Sequence, residues 1–343
     1  MSETPLWSPS PAAVAASPMT AFMKAAARAS GKDIGDYDGL HQWSVEDREA
    51  FWSLVWDQCG VIGEKGGRVM VDGDRMPGAA FFPDAKLNFA ENLLRGKGSG
   101  DAIVFRGEDK VSRRLSWDDL HALVSRMQQL FRAEGVKPGD RIAGMMPNMP
   151  ETVAAMLAAA SLGAIWSSCS PDFGVQGVLD RFGQIEPKVL LTADGYWYNG
   201  KPQNSLGRVA EVLAKLPSVQ QVLVVPYLNN HPDISQIPRA KLWREALNEQ
   251  GGHDIHFLRV PFNHPLFIMY SSGTTGVPKC IVHGQGGTLL QHLKEHRLHS
   301  DIRPGDRMFY FTTCGWMMWN WLISGLASGA TLLLYDGSPF SPN

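Results

Sequence analysis

The run Ser271-Ser272-Gly273-Thr274-Thr275-Gly276-Val277-Pro278-Lys279 concentrates hydroxyls, glycines and one lysine, with no acidic residue among them. Gly273 and Gly276 permit positive φ, which lets backbone N–H groups turn toward an anion. Ser271, Ser272, Thr274 and Thr275 add hydroxyl donors, and Lys279 adds a point charge suited to phosphate. A loop in which every group donates is what a polyphosphate requires. The Walker pattern G-x-x-x-x-G-K-[ST] does not fit. The glycines are three apart, Lys279 follows a proline, and no Ser or Thr comes after it. A plain Ser/Gly-rich hairpin turn is the other reading of this composition.

Two elements must hold that loop. The apolar run 266–270 predicts a buried strand before it, and 279–283 predicts a second strand after it. Upstream, strands are expected at 102–106 and 110–115, then a helix from Ser116 as N-cap to Glu134, closed by Gly135. A strand at 141–146 leads to a helix at 150–162, with Pro150 in its first position and Glu151 favouring the dipole. A strand at 165–168, a helix at 174–186 and strands at 188–192 and 220–225 continue the alternation. This rhythm predicts an α/β fold of mostly parallel sheets flanked by helices.

Nearer the start, residues 1–18 are Pro/Ser/Ala-rich and are expected to be irregular. A helix is expected at 20–30, ended by Gly31. Ser44-Val45-Glu46-Asp47 reads as a capping-box-like start to a helix with Phe51, Trp52, Val55 and Trp56 on its core face. The Gly- and charge-rich stretch 95–101 divides the chain into an N-terminal region, 1–100, and a larger one, 101–343.

Composition narrows the function classes. The chain has 343 residues, 44% hydrophobic and 19% charged, which suits a globular protein with ample core. A net charge of −2 leaves no basic footprint for nucleic acid. Cys59, Cys169, Cys280 and Cys314 are scattered, as reduced thiols of a cytoplasmic protein would be. No signal peptide is expected, and the longest apolar run, 153–166, is too short to cross a membrane. His292, His296 and His299 have helical metal-ligand spacing, but they lack H-E-x-x-H and a well-placed acidic partner. A packed or solvated histidine face is the expectation, with no metal.

The string Tyr270-x-Ser272-Gly273-Thr274-Thr275-Gly276-x-Pro278-Lys279 resembles the phosphate loop of the adenylate-forming superfamily. The resemblance implies that Ser271, Ser272, Gly273, Thr274, Thr275, Gly276 and Lys279 hold the ATP phosphates. Thr274 and Lys279 would act while a carboxylate attacks the α-phosphorus. Leu6-Trp7, Phe22-Met23, Tyr37, Trp43-Ser44-Val45 and Phe51-Trp52 resemble the N-terminal cap of the acetyl- and acetoacetyl-CoA synthetase branch. So does Phe82-Pro83-Asp84-Ala85-Lys86-Leu87-Asn88-Phe89-Ala90-Glu91-Asn92. In that branch an arginine at the position of Arg181, on the helix after Ser170-Pro171-Asp172-Phe173, meets a CoA phosphate. An ion pair with Asp180 or Glu186 is the plainer alternative. The family's Arg-Gly-Gly string is replaced by Trp197-Tyr198-Asn199-Gly200-Lys201.

A strand expected at 309–313 runs into Cys314-Gly315-Trp316-Met317-Met318-Trp319-Asn320-Trp321. This resembles the family's acyl pocket, which implies substrate contacts from Trp316, Met317, Met318 and Asn320. Acetyl-CoA synthetases usually have Val-Thr-Gly-His after Gly-Trp, whereas Met-Met-Trp-Asn resembles the acetoacetyl-specific enzymes. Methionines can shape an apolar slot, and Asn320 can donate to an oxygen, although simple core packing explains both residue types too.

The implied activity is ligation of acetoacetate to CoA through acetoacetyl-AMP, with ATP, Mg²⁺ and CoA, in ketone-body and lipid metabolism. An acetate or propionate ligase and a non-catalytic nucleotide- or CoA-binding remnant are the alternatives. The family plan leads one to expect, beyond Asn343, an adenine-binding segment, a Mg²⁺-holding Glu, a ribose-binding Asp, a hinge and a small domain with a catalytic Lys. The chain therefore reads as the N-terminal half of a longer synthetase. Residues 1–343 alone are not expected to complete the reaction, and the strand at 330–335 is expected to lack sheet neighbours.

Overall fold

In the computed structural model, which describes residues 6–252, 254–271 and 276–341, seven strands form one large sheet. Their order is Ala240–Leu242, Gln221–Val225, Val189–Ala193, Arg141–Met145, Ile165–Cys169, Pro265–Ser271 and Lys279–Gly284. Every neighbouring pair is parallel except the last, which is an antiparallel hairpin. The inner strands are near-continuous apolar runs because helices cover both faces. On one face, Val175–Ile185 and Leu206–Ala214 bury Val178, Phe182, Val209 and Val212 against Val222 and Val224.

Local chemistry sets the helix ends. Ser116 and Asp119 form a reciprocal capping box at the start of Trp117–Ala133, and Gly135 follows at φ 67°. Pro150 opens Pro150–Ser161, where Glu151 accepts both Arg113 guanidinium nitrogens at 2.6 and 2.9 Å. The expected start at Ser44 is corrected. Ser44 lies inside Tyr37–Glu46 and donates to the His41 carbonyl, while Asp47 caps Arg48–Gln58 by accepting from the Ala50 N–H. The expected irregular leader is also corrected, since Ser10 caps a short helix, Pro11–Ala16, with proline in its first turn.

A second sheet has the order Arg307–Phe309, Thr331–Asp336, Asp101–Gly107 and Val111–Ser116. Thr331–Asp336 is therefore an interior strand, paired in parallel on both sides, rather than the bare edge expected at 330–335. The strand expected at 309–313 ends at Phe309. Its continuation bonds elsewhere: Asn148 Nδ2 donates to the Thr312 carbonyl, and the Trp316 N–H to that of Thr313.

One apolar cluster runs from Phe22 through Phe82 and Phe267 to Leu334, so the N-terminal region and both sheets share a core. The Phe82-to-Asn92 string is its clip. Buried Asn88 donates to the carbonyls of Ala160 and Leu258 at 2.9 and 2.8 Å, and the Phe89 N–H donates to Gln285 Oε1 at 2.9 Å. All four cysteines are free, with only Cys280 exposed. No helix among the described residues is long and apolar enough to cross a membrane.

Candidate functional site

Three features are candidates, two at the carboxyl edge of the large sheet and one along the edge strand Lys279–Gly284, which runs away from that edge. The first is the Ser/Thr/Gly loop. Ser271 stands opposite Lys279 in the hairpin, and the strand before the loop lies parallel beside Ile165–Cys169. Ser272, Gly273, Thr274 and Thr275 lie outside the described residues. Gly276 has φ 119°, and a Cβ there would meet nothing within 4 Å among the described residues, so backbone conformation demands glycine. Lys279 is exposed.

Arg181 sits beside the strand that feeds this loop. Its guanidinium lies 4.5 Å from the Phe173 ring centre and 5.7 Å from that of Tyr270, and Nη1 donates to the Gly177 carbonyl at 2.8 Å. The alternative ion pair does not form: Asp180 Oδ1 accepts instead from Gln176, and the Glu186 carbonyl receives Arg141. Tyr270 accepts a hydrogen bond from Ser167 Oγ at 3.0 Å, and burial raises its pKa. Gln184 Nε2 donates to the Pro278 carbonyl at 2.8 Å, tying the Arg181 helix to the loop's return.

The second feature is a cleft of about 530 Å³. From Arg141–Met145 the chain crosses to Ile165–Cys169 on one side, then to Val189–Ala193 on the other. Connections thus diverge at this point, and the crevice beyond such strand ends is where open α/β sheets bind ligands. The cleft is lined there by Asn148, Asp172, Tyr196, Trp197 and Tyr198, and across from them by Tyr335 and Asp336 of the second sheet and by Phe311. The Trp197-to-Lys201 string is a hairpin tip, with Asn199 at φ 53° and Gly200 at φ 72°. Buried Glu108 accepts from the N–H groups of Asn199 and Gly200, both at 2.7 Å, and from Ser338 at 2.9 Å. One carboxylate therefore fixes two walls. Asp336 accepts from the Tyr227 hydroxyl at 3.1 Å, and burial pushes its carboxyl up to about 7.

The third feature is a more open pocket of about 670 Å³. Ile281, Val282, His283 and Gly284 form one side, Thr288, Gln291, His292 and Glu295 another, and Met317, Met318 and Trp321 a third. In Met317–Ile323, positions i, i+1 and i+4 face the pocket, while Trp319 and Asn320 are buried. Trp319 Nε1 donates to Asn148 Oδ1 at 2.9 Å. Trp316 is exposed at the helix cap, and neither it nor Asn320 lines the pocket.

The histidine run does not stay α-helical. Gln285–Leu293 passes into a π-helix, Lys294–His299, a form that recurs at functional sites. His292 and His296 are buried, His296 edge-on to Trp321 at 4.4 Å between ring centres. His299 faces solvent against Tyr37, so the three rings do not converge. Burial pushes His292 down to about 4 and His296 to about 3.

These shifts predict the pH dependence of stability. Between about pH 4 and 6.5 the unfolded chain protonates both histidines while the fold keeps them neutral, so their contribution is lost as pH falls. Asp336 has the opposite sign. Its carboxyl stays protonated in the fold up to about 7, so its contribution is present at low pH and lost as pH rises. Two groups oppose one, and across this window these three make stability rise with pH. Asp336→Asn should steepen the slope by about 1.4 kcal/mol per pH unit in urea titrations. An unchanged slope in that variant would mean the carboxyl is ionised in the fold.

The cleft and the polar side of the pocket escaped sequence reasoning. Tyr196, Asp336, His292 and Glu295 converge only through strand order and helix packing. The one local signal is the histidine spacing, which reads as a packed or solvated face with no pocket in view.

The family model described as "AMP-binding enzyme" matches residues 94–343, and that described as "Acetyl-coenzyme A synthetase N-terminus" matches residues 37–93. The chain is 60% identical to the acetoacetyl-coenzyme A synthetase of Rhizobium meliloti (strain 1021), over 99% of this chain and 52% of that protein. It is 45% identical to the malonamoyl-CoA synthetase vrtB of Penicillium aethiopicum, over 94% of this chain and 46% of that one. The solved acetoacetyl-CoA synthetase from Streptomyces lividans superposes with a TM-score of 0.93 at 42% identity, covering 99% of this chain and 52% of its own. The chain thus spans about half the length of the curated relatives it matches.

Proposed function

The chain belongs to the AMP-binding enzyme family, and on that premise we propose that it carries the loop and acyl pocket of an AMP-forming acetoacetate–CoA ligase. One observation carries this reading. The strand Lys279–Gly284 has the loop's cation at its start and the pocket wall Ile281–Gly284 at its end. At about 3.3 Å per residue, an acid seated in the pocket lies roughly 10 Å along the strand from a polyphosphate held by the loop. The acid's carboxylate, pointed along the strand, and the α-phosphate, reaching back from the loop, together cover that interval.

A carboxylate oxygen bonds the α-phosphorus as the bond from that phosphorus to pyrophosphate breaks, and CoA thiolate then attacks the acyl carbon and displaces AMP. Ser271, Ser272, Gly273, Thr274, Thr275 and Gly276 hold the phosphates, and Lys279 with Thr274 neutralises charge on the leaving group. Mg²⁺ would enter on the nucleotide's own phosphates. Among the described residues no group of three or more His, Cys, Asp or Glu is positioned to hold a metal ion. Arg181, with no acidic partner among the described residues, offers its charge to a CoA phosphate, and the aromatic cleft suits a nucleotide-bearing substrate. The region up to residue 100 serves as the branch's N-terminal cap, and the free thiols suit a cytoplasmic protein.

The test is acid-dependent pyrophosphate release by the full-length protein with ATP and Mg²⁺, followed by acyl-CoA formation. Acetoacetate should exceed acetate and propionate. Malonamate, in which an amino group replaces acetoacetate's methyl, is the sharpest competitor, since a relative is named for malonamoyl-CoA. Release with no acid would leave the remnant reading standing. Substituting Met317 or Met318 with alanine should shift the acetoacetate-to-acetate preference by about 5- to 100-fold and leave ATP affinity alone, because an apolar contact discriminates only weakly. An unchanged ratio in both variants would return these methionines to plain packing.

A further inference from the structure

We propose that His292, oriented by Ser324, determines acid specificity by donating a hydrogen bond from Nε2 to the oxygen on the substrate's β-carbon. This rests on the ligase reading and adds the group that recognises the acid.

The polar inventory of the pocket leads to this residue. Thr288 Oγ1 donates to the Gly284 carbonyl at 2.7 Å, and Gln291 Nε2 donates to Glu295 Oε1 at 2.6 Å. Glu295 also accepts from Trp321 Nε1 at 2.8 Å, and a carboxylate offers a carbonyl oxygen no proton. Asn320 does not line the pocket. His292 does, and its Nδ1 lies 2.7 Å from Ser324 Oγ. Its Nε2 bonds no described residue and is the ring atom left for a ligand.

Ser324 decides which nitrogen carries the proton. Its hydroxyl has one hydrogen and two acceptors in reach, the Asn320 carbonyl at 3.0 Å and His292 Nδ1. The Asn320 carbonyl already accepts the backbone N–H at the helix end, so it is satisfied without the hydroxyl. Ser324 can therefore donate to Nδ1, which leaves the hydrogen on Nε2. Burial keeps the ring neutral, so the tautomer that Ser324 selects decides whether Nε2 donates. Met317, Met318 and Trp321 supply apolar cover for the rest of the acid. The β-carbonyl oxygen is the feature that acetoacetate and malonamate share and butyrate lacks.

The experiment measures acid-dependent pyrophosphate release by the full-length protein with acetoacetate and butyrate. It compares wild type with His292→Leu, His292→Gln, Ser324→Ala and His283→Gln. His292→Leu should lower the acetoacetate-to-butyrate ratio of kcat/KM about 100-fold, with butyrate and the KM for ATP held within a few-fold. His292→Gln, which keeps a donor, should restore much of the ratio, and Ser324→Ala should fall between. His283 also lines the pocket, so its variant can lose rate, but its rates on the two acids should move together. Equal losses on both acids in His292→Leu, or loss of the ratio in His283→Gln alone, would overturn the assignment. If the leucine variant does not fold, an unchanged ratio in Ser324→Ala overturns it as well. A wild type that turns over both acids without preference removes this assignment but leaves the ligase reading. A wild type active on no acid removes both.

Discussion

Lys279→Ala in the full-length protein should slow acid-dependent pyrophosphate release by roughly 10²–10³-fold, the usual result of deleting one preorganised donor from a developing anion. Lys279 is exposed at the start of an edge strand. Its removal should therefore change stability by less than about 0.5 kcal/mol. The pairing of a large rate loss with an unchanged unfolding midpoint is what separates an anion-binding role from a structural one. Gly276→Val should follow for another reason, since φ 119° forces a β-branched residue to rearrange the loop backbone. Near-normal release by Lys279→Ala would remove the phosphate role from this loop.

Glu108→Ala should lower unfolding free energy by about 3 kcal/mol, because it orphans three backbone donors that one carboxylate satisfies. Glu108→Gln should cost about 1 kcal/mol, since a carboxamide keeps one acceptor oxygen of two. The damage should concentrate at the cleft. The hairpin Gly195–Tyr198 and Lys201–Asn204 loses its tether to the segment after Asp336, and limited proteolysis should find it first. Urea titration that gives the wild-type midpoint for Glu108→Ala would mean that water replaces the carboxylate at no cost.

What was legible in the sequence was mostly what local chemistry decides. Apolar runs at Val189–Ala193 and Gln221–Val225 read as buried strands because both faces are covered. Ser116, Gly135 and Pro150 marked helix ends through their own hydrogen bonds and dihedrals. At Ser44 two adjacent caps competed, and Asp47 won because the preceding helix already occupied Ser44. Pairing between distant segments was not legible. Nothing near Thr331–Asp336 announces that Asp101–Gly107 lies beside it. The same blindness hid Asp336 and Glu108. Of the candidate acyl residues, helical spacing brings Met317 and Met318 to the pocket and turns Asn320 away from it.

The second sheet also constrains how the protein is made. Thr331 Oγ1 donates to the Asp101 carbonyl across a separation of 230 residues, and the strand it begins is an interior one. A ribosome adding roughly 5–20 residues per second needs on the order of tens of seconds to supply it. Through that interval the nascent hairpin Asp101–Gly107 and Val111–Ser116 carries an open edge, though its own two strands are complete. The yield of native chains is then set by how that edge is shielded during translation, well before the finished sheet contributes any stability.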